Sequence, residues 1–147
     1  MTEKFDLQRF VNAQASEEAD YYQALQEIRN GRKWSHWIWY VFPQMKGLGH
    51  SYYSGFYGIS GLDEAKAYYE HTVLGPRLIE ITEALLEHND KSAEDILGSI
   101  DALKVKSCMT LFWLASSNPL FHSVLDAFYD GQPDPNTMKL LGLSVKK

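Results

Sequence analysis

Helix start and stop signals recur along the chain, whereas the period-two alternation of a half-buried strand is almost missing. That contrast directs the reading to an all-α, mainly α-helical fold: one compact multi-helix domain over residues 1–147, interrupted by a long glycine- and aromatic-rich loop. Phe5, Leu7, Phe10 and Val11 lie near i, i+3, i+4 spacing, as do Ala19, Tyr22, Leu25, Gln26 and Ile28 ahead of the Asn30-Gly31 stop. They predict two helices with a break near Gln14–Ser16. The largely apolar run from Trp34 to Phe42 has no partner strand in view and is read as a helix ending before Pro43, because proline pushes the preceding residue out of helical geometry.

Residues 44–61 carry five glycines interleaved with four aromatics, a composition that opposes a helix and reads as loop. A loop this long in a small domain is commonly functional, so the site is placed there. Helical spacing resumes from Leu62 to about Thr72, and Pro76 suits the first position of a helix running to about His88. Ser92 with Asp95 resembles a capping box for a short helix to Leu97. Ile100 to about Ala115 becomes apolar all round after Cys108 and reads as the central helix. Asn118-Pro119 opens a helix to about Tyr129, and Thr137–Leu141 forms a last short one before a polar tail.

A chain of 147 residues has room for one domain burying roughly 68–70% of its unfolded surface. Its 45% hydrophobic and 22% charged residues exclude a disordered or low-complexity array. The 14% aromatic share means that large rings fill the core, line a pocket, or both. A net charge of −5 offers no general attraction to phosphate backbones or anionic lipid, so neither nucleic acid nor membrane is expected as a partner. The single cysteine, the charged amino terminus and the lack of a long apolar stretch predict a reduced, cytoplasmic protein.

Serine-nucleophile hydrolysis has no GxSxG elbow here, and Cys108 sits in an apolar helix as a packed small residue. The five histidines show no i, i+3 or i, i+4 pairing, so no metal is expected, and nothing calls for a cofactor. Gly47-Leu48-Gly49 lacks the preceding strand and the GKS or GKT of a phosphate loop. More informative are polar residues set among rings: Arg32, Lys33 and His36 beside Trp34, Trp37, Trp39 and Tyr40, followed by Gln44, Ser51 and Tyr57. Aromatic faces can sandwich a base or sugar while cations and hydroxyls orient its polar groups; the competing explanation is that the rings are core and the cations solvated. Asp101 and Lys104 share a helical stripe with Cys108, either as a surface ion pair or, if enclosed, as reactive groups. Ile100, Leu103 and Leu111 can form the buried face of that helix, which would turn Lys104 toward the 44–58 loop. Arg77, at the start of its helix, is an anion contact or an exposed cation.

Read in order, Leu7-Gln-Arg-Phe, Gly31-Arg-Lys with His36-Trp37-Ile-Trp, Phe42-Pro-Gln, Gly47-Leu-Gly, Tyr57-Gly-Ile, Glu64-Ala-Lys-Ala-Tyr, Leu74-Gly-Pro-Arg-Leu, Ile96-Leu-Gly with Asp101 and Lys104, and Met109-Thr-Leu-Phe resemble the domain-of-unknown-function family numbered 1810. The likeness runs from about residue 5 to residue 141. It implies a small helical intracellular protein without an established activity, in a family some of whose members are mislabelled calpastatin. Thr72 stands where that family commonly has proline and Cys108 where it commonly has serine. A looser pattern, an aromatic-rich early segment, a glycine-bearing middle and a late Asp-x-x-Lys, is similar to the helical fold that acts on ADP-ribosyl groups and NAD-related metabolites.

Two functions follow as expectations. In the first, an aromatic-lined pocket binds a nucleotide, sugar phosphate or ADP-ribosyl or NAD-related metabolite, with or without hydrolysis. Asp101 and Lys104 are its catalytic candidates and Arg32, Lys33, His36, Trp37, Trp39, Gln44, Ser51, Tyr57 and Arg77 its ligand contacts. In the second, segment 34–57 is a non-catalytic protein-interaction or homodimerisation surface.

Overall fold

In the computed structural model, which describes residues 5–16 and 19–143, ten helices and no strand occur among the described residues. They are α1 (Gln8–Gln14), α2 (Tyr21–Arg29), α3 (Ile38–Val41), α4 (Tyr52–Phe56), α5 (Leu62–Glu70), α6 (Leu74–Leu86), α7 (Ala93–Leu97), α8 (Ser99–Ser116), α9 (Pro119–Phe128) and α10 (Pro135–Leu140). The fold is all-α, as the sequence predicts. The polar tail at 144–147 lies outside the described residues. None of the described helices is long and apolar enough to cross a membrane.

Helix α8 is the hub, packing on α3, α5, α7, α9 and α10, while α6 packs on α2, α5 and α9. Its residues 107–112 are all buried, which requires neighbours on every side. The expected assignment of its first turns is reversed, however. Ile100 and Leu103 are exposed while Leu111 is buried, because Ala102 and Val105 supply the inward stripe. A similar correction applies to α2: Tyr21 and Ala24 are buried with Leu25 and Ile28, and Tyr22 points outward.

Local chemistry explains the boundaries. The Ser92 hydroxyl accepts from Asp95 N at 3.0 Å and Asn118 Oδ1 from Leu120 N at 3.0 Å, so both expected caps form. Helix α6 begins at Leu74, ahead of Pro76, because His71 Nδ1 accepts the amides of Val73 and Leu74 at 3.1 and 3.2 Å. Pro76 then sits in the first turn, where its missing N–H costs nothing. Gly75 is required there for space, since a Cβ would lie 2.0 Å from the Tyr69 carbonyl oxygen. Within the expected loop, Ser51 Oγ accepts from Ser54 N at 3.1 Å and starts α4, a short helix not anticipated from the glycine content. The expected helix over 34–42 shrinks to Ile38–Val41; ahead of it the amides of Trp34 and Ser35 donate to the side chain of Glu27.

That segment 44–60 is also tied down. Arg9 donates to the carbonyls of Phe56 and Gly58 at 2.8 and 3.0 Å and pairs with the buried Glu64 at 2.9 Å. Glu64 in turn accepts from Ser60 N at 2.8 Å. An arginine that satisfies two loop carbonyls and one enclosed carboxylate turns a glycine-rich stretch into a fixed wall.

Candidate functional site

Asp101, in the first turn of α8, bridges two ammonium groups. Its Oδ2 lies 2.8 Å from Lys33 Nζ and its Oδ1 3.2 Å from Lys104 Nζ. Each ammonium also meets an indole: Lys104 Nζ is 3.9 Å from the Trp39 ring centre and Lys33 Nζ 4.9 Å from that of Trp37. The side chain of Lys33 is only 6% exposed and those of Asp101 and Lys104 are 18% and 20% exposed, so this is an enclosed cluster rather than a solvated surface pair. Two ammonium groups on one carboxylate leave a local positive charge in a chain whose net charge is −5.

The cluster exists because the irregular chain between α2 and α3 is held in place by hydrogen bonds at several points. Gly31, at φ +80°, ends α2, and Lys33 N donates to the Ile96 carbonyl at 2.7 Å, joining the segment to the end of α7. Glu27 fixes the rest. Its Oε1 accepts from Trp34 N, Ser35 N and Trp37 Nε1 at 2.8, 2.9 and 3.0 Å, and its Oε2 from Gln23 Nε2 at 2.8 Å. Burial by itself would raise the Glu27 carboxyl, but the hydrogen bonds from Ser35, Gln23 and Trp34 outweigh it and hold the group at about 2.

Beside Lys33 opens a groove of about 610 Å³, lined by the turn Gly31–Lys33, by Lys91 and by residues 94–98. Its size lies within the usual range for small-molecule sites. Smaller recesses of about 420 Å³ flank the 44–60 segment against Phe5, Arg9, Met45, Lys46, Phe56, Ser60 and Glu64. Among the described residues no group of three His, Cys, Asp or Glu is placed to hold a metal ion.

The structure thus brings together Lys33, Trp37, Trp39, Asp101 and Lys104, with Arg32 exposed in the adjoining groove. Trp37 is fully buried and backs Lys33 instead of offering a face, whereas Trp39 is half-buried. His36 is exposed, and its carbonyl accepts from the Tyr40 hydroxyl at 3.4 Å. The other candidates are elsewhere. Gln44 is buried, its carbonyl accepting from Ile59 N at 2.9 Å; Ser51 caps α4; Tyr57 packs among the rings of Phe10, Tyr40 and Phe56. Burial, helped by Tyr53 and Tyr52, pushes the Tyr57 hydroxyl up. Arg77 lies over the rings of Tyr21 and Tyr22 and bonds Gln14 Oε1 at 3.3 Å, in a separate network. Lys104 therefore turns toward Trp39 and Asp101, not toward residues 44–58 as the helix periodicity suggested; with Ile100 and Leu103 facing out, the stripe carrying Lys104 is the one that meets the 33–39 segment.

Sequence reading missed Glu27 and the pair Arg9–Glu64. Glu27 occupies the i+3 position from Ala24 on the buried stripe of α2, where an acid is costly without donors. That misplaced charge was the available signal. Glu64 was legible only as a first-turn acid, since its partner lies 55 positions away.

The comparisons agree with this architecture. A crystal structure of the conserved hypothetical protein Rv1873 from Mycobacterium tuberculosis superposes with a TM-score of 0.91 at 45% identity, covering 97% of this chain and all of that one. No match is found among curated proteins. The family model described as "Protein of unknown function (DUF1810)" matches residues 4–141, and the chain belongs to that family.

Proposed function

We propose that this chain binds a small anionic metabolite of the nucleotide, sugar-phosphate or ADP-ribosyl type at Lys33, Trp39, Asp101 and Lys104. The observation that carries the reading is the Asp101 carboxylate shared by two enclosed ammonium groups. An enclosed lysine needs a pairing or functional explanation, and here two lysines share one pairing partner, which leaves charge for an anion. The half-buried Trp39 ring adds an apolar face beside that charge. Asp101, engaged by both ammonium groups, orients them; Lys104, the more exposed of the two, meets the ligand. Ligand hydrolysis is a separate outcome that the same samples can report.

A thermal-shift screen of the full chain against nucleotides, NAD derivatives and sugar phosphates tests this. A ligand present at 100 times its dissociation constant adds about 2.7 kcal/mol of stability. A shift with one of these classes, read alongside chromatography of the ligand for turnover, supports the reading; a flat response across all three sinks it.

A second reading has its own observation. Tyr52, Tyr53 and Phe56 on α4 are 73, 55 and 42% exposed, and the Tyr52 and Phe56 rings stack at 5.7 Å. This exposed aromatic face suits an interaction or self-association module. Sedimentation of the chain and of a Tyr52→Ser, Phe56→Ser variant separates the cases: concentration-dependent association that the variant loses favours it, and a monomer at all concentrations removes self-association.

A further inference from the structure

The groove beside Lys33 has a charge arrangement that the cluster on α8 does not explain. The turn after α2 and the connection before α7 bring three cations to it, Arg32, Lys33 and Lys91, while the first turn of α7 contributes two carboxylates, Glu94 and Asp95. Lys33 is committed to Asp101, and Lys91 Nζ makes one long hydrogen bond, 3.4 Å, to the Gly31 carbonyl. The Arg32 guanidinium and the two α7 carboxylates have no hydrogen-bond or ion-pair partner among the described residues, although they line the same groove. Gly98 also lines the groove, and a Cβ built there would meet nothing within 4 Å, so the groove is open at that point.

We infer that this groove binds the phosphorylated ribose of a nucleoside diphosphate, with the phosphates on Arg32 and Lys91 and the vicinal ribose hydroxyls on Glu94 and Asp95. The inference deepens the proposed function, resting on it for the class of anion sought, and adds a subsite that it does not contain. The chemistry is complementary on both sides. A guanidinium fork and an ammonium suit phosphate oxygens, and a carboxylate accepts from the hydroxyls of a ribose, which a simple inorganic anion lacks. A purely basic groove would take any anion; the two carboxylates repel one that has no donors to offer them. Lys33 lines the groove and contacts Asp101, so it connects this subsite to the Lys104 cluster.

Calorimetric titration of the full chain with ADP, 2′,3′-dideoxy-ADP and inorganic pyrophosphate tests the assignment. ADP should bind more tightly than both, and removing the diol should cost about fivefold or more, since it leaves the carboxylates without donors. Combined Arg32→Ala and Lys91→Ala should weaken ADP by about tenfold or more. Combined Glu94→Gln and Asp95→Asn should erase the preference for the diol. All four side chains are exposed, and an unchanged melting temperature shows that each variant is folded. Equal binding of ADP in the wild type and the Arg32, Lys91 variant overturns the groove assignment, as does no ADP binding at millimolar concentration. If Lys104→Met abolishes ADP binding while the Arg32, Lys91 variant retains it, the groove fails and the proposed function stands. If binding requires Arg32 and Lys91 and ignores Lys104, the groove stands and the α8 cluster is not the ligand site.

Discussion

The indole N–H of Trp37 donates to Glu27 Oε1 at 3.0 Å, deep in the core. This bond joins α2 to the start of α3 and so decides where the intervening residues lie. The same oxygen takes the amides of Trp34 and Ser35, so the segment that leads into α3 is anchored to α2 at three points. Lys33 is consequently delivered to Asp101, and the cluster on α8 follows from a carboxylate that does not itself touch it.

Replacing Glu27 by Gln removes the charge from four N–H donors and turns an amide N–H2 toward at least one of them. Hydrogen bonds to charged groups are worth about 1.5–3 kcal/mol, so Glu27→Gln should destabilise the chain by about 2–3 kcal/mol in urea unfolding. The pH dependence has a defined sign. The folded-state carboxyl, at about 2, is depressed below the ordinary 4.5. Its contribution, on the order of 3 kcal/mol, is therefore present above pH 4.5 and is lost as pH falls toward 2. In the Glu27→Gln variant that acid-sensitive part of the stability curve should flatten.

Thr82 presents the opposite case. It is fully buried on α6, and its hydroxyl has no hydrogen-bond partner among the described residues. Thr82→Val keeps the shape and removes the unpaired polar group, so the variant should be more stable by about 1 kcal/mol. A lower melting temperature would show that the hydroxyl has a partner.

The helices were legible where a cap and an apolar stripe agree, as at Ser92 and Asn118, because both signals are local. They were misread where a side chain outside the helical pattern decides. His71 starts α6 ahead of its proline, Glu27 anchors the irregular segment 34–37, and Arg9 fixes a glycine-rich stretch that by itself reads as loop. For the site, the i, i+3 spacing of Asp101 and Lys104 was visible, whereas the arrival of Lys33 depends on an irregular segment anchored by Glu27 and by the Ile96 carbonyl. Helical periodicity also could not distinguish the inward stripe of α8 from the outward one, since Ile100 and Leu103 are as apolar as Ala102 and Val105.

Cys108 is fully buried, and burial raises its thiol well above the ordinary range. Native protein should therefore label slowly with a thiol reagent and react fast only once unfolded. Rapid labelling of the folded chain would show that α8 opens locally.

On the proposed function, Lys104 serves ligand rather than fold. Lys104→Met keeps the stem over Trp39 and deletes the charge, leaving Asp101 paired with Lys33. The most direct measurement is the affinity of the wild type and of Lys104→Met for the ligand that gives the largest thermal shift, with urea unfolding on the same samples. Binding should weaken by about tenfold or more, with stability changed by less than about 1.5 kcal/mol. Unchanged affinity, or a loss of binding that merely tracks a large loss of stability, would contradict it.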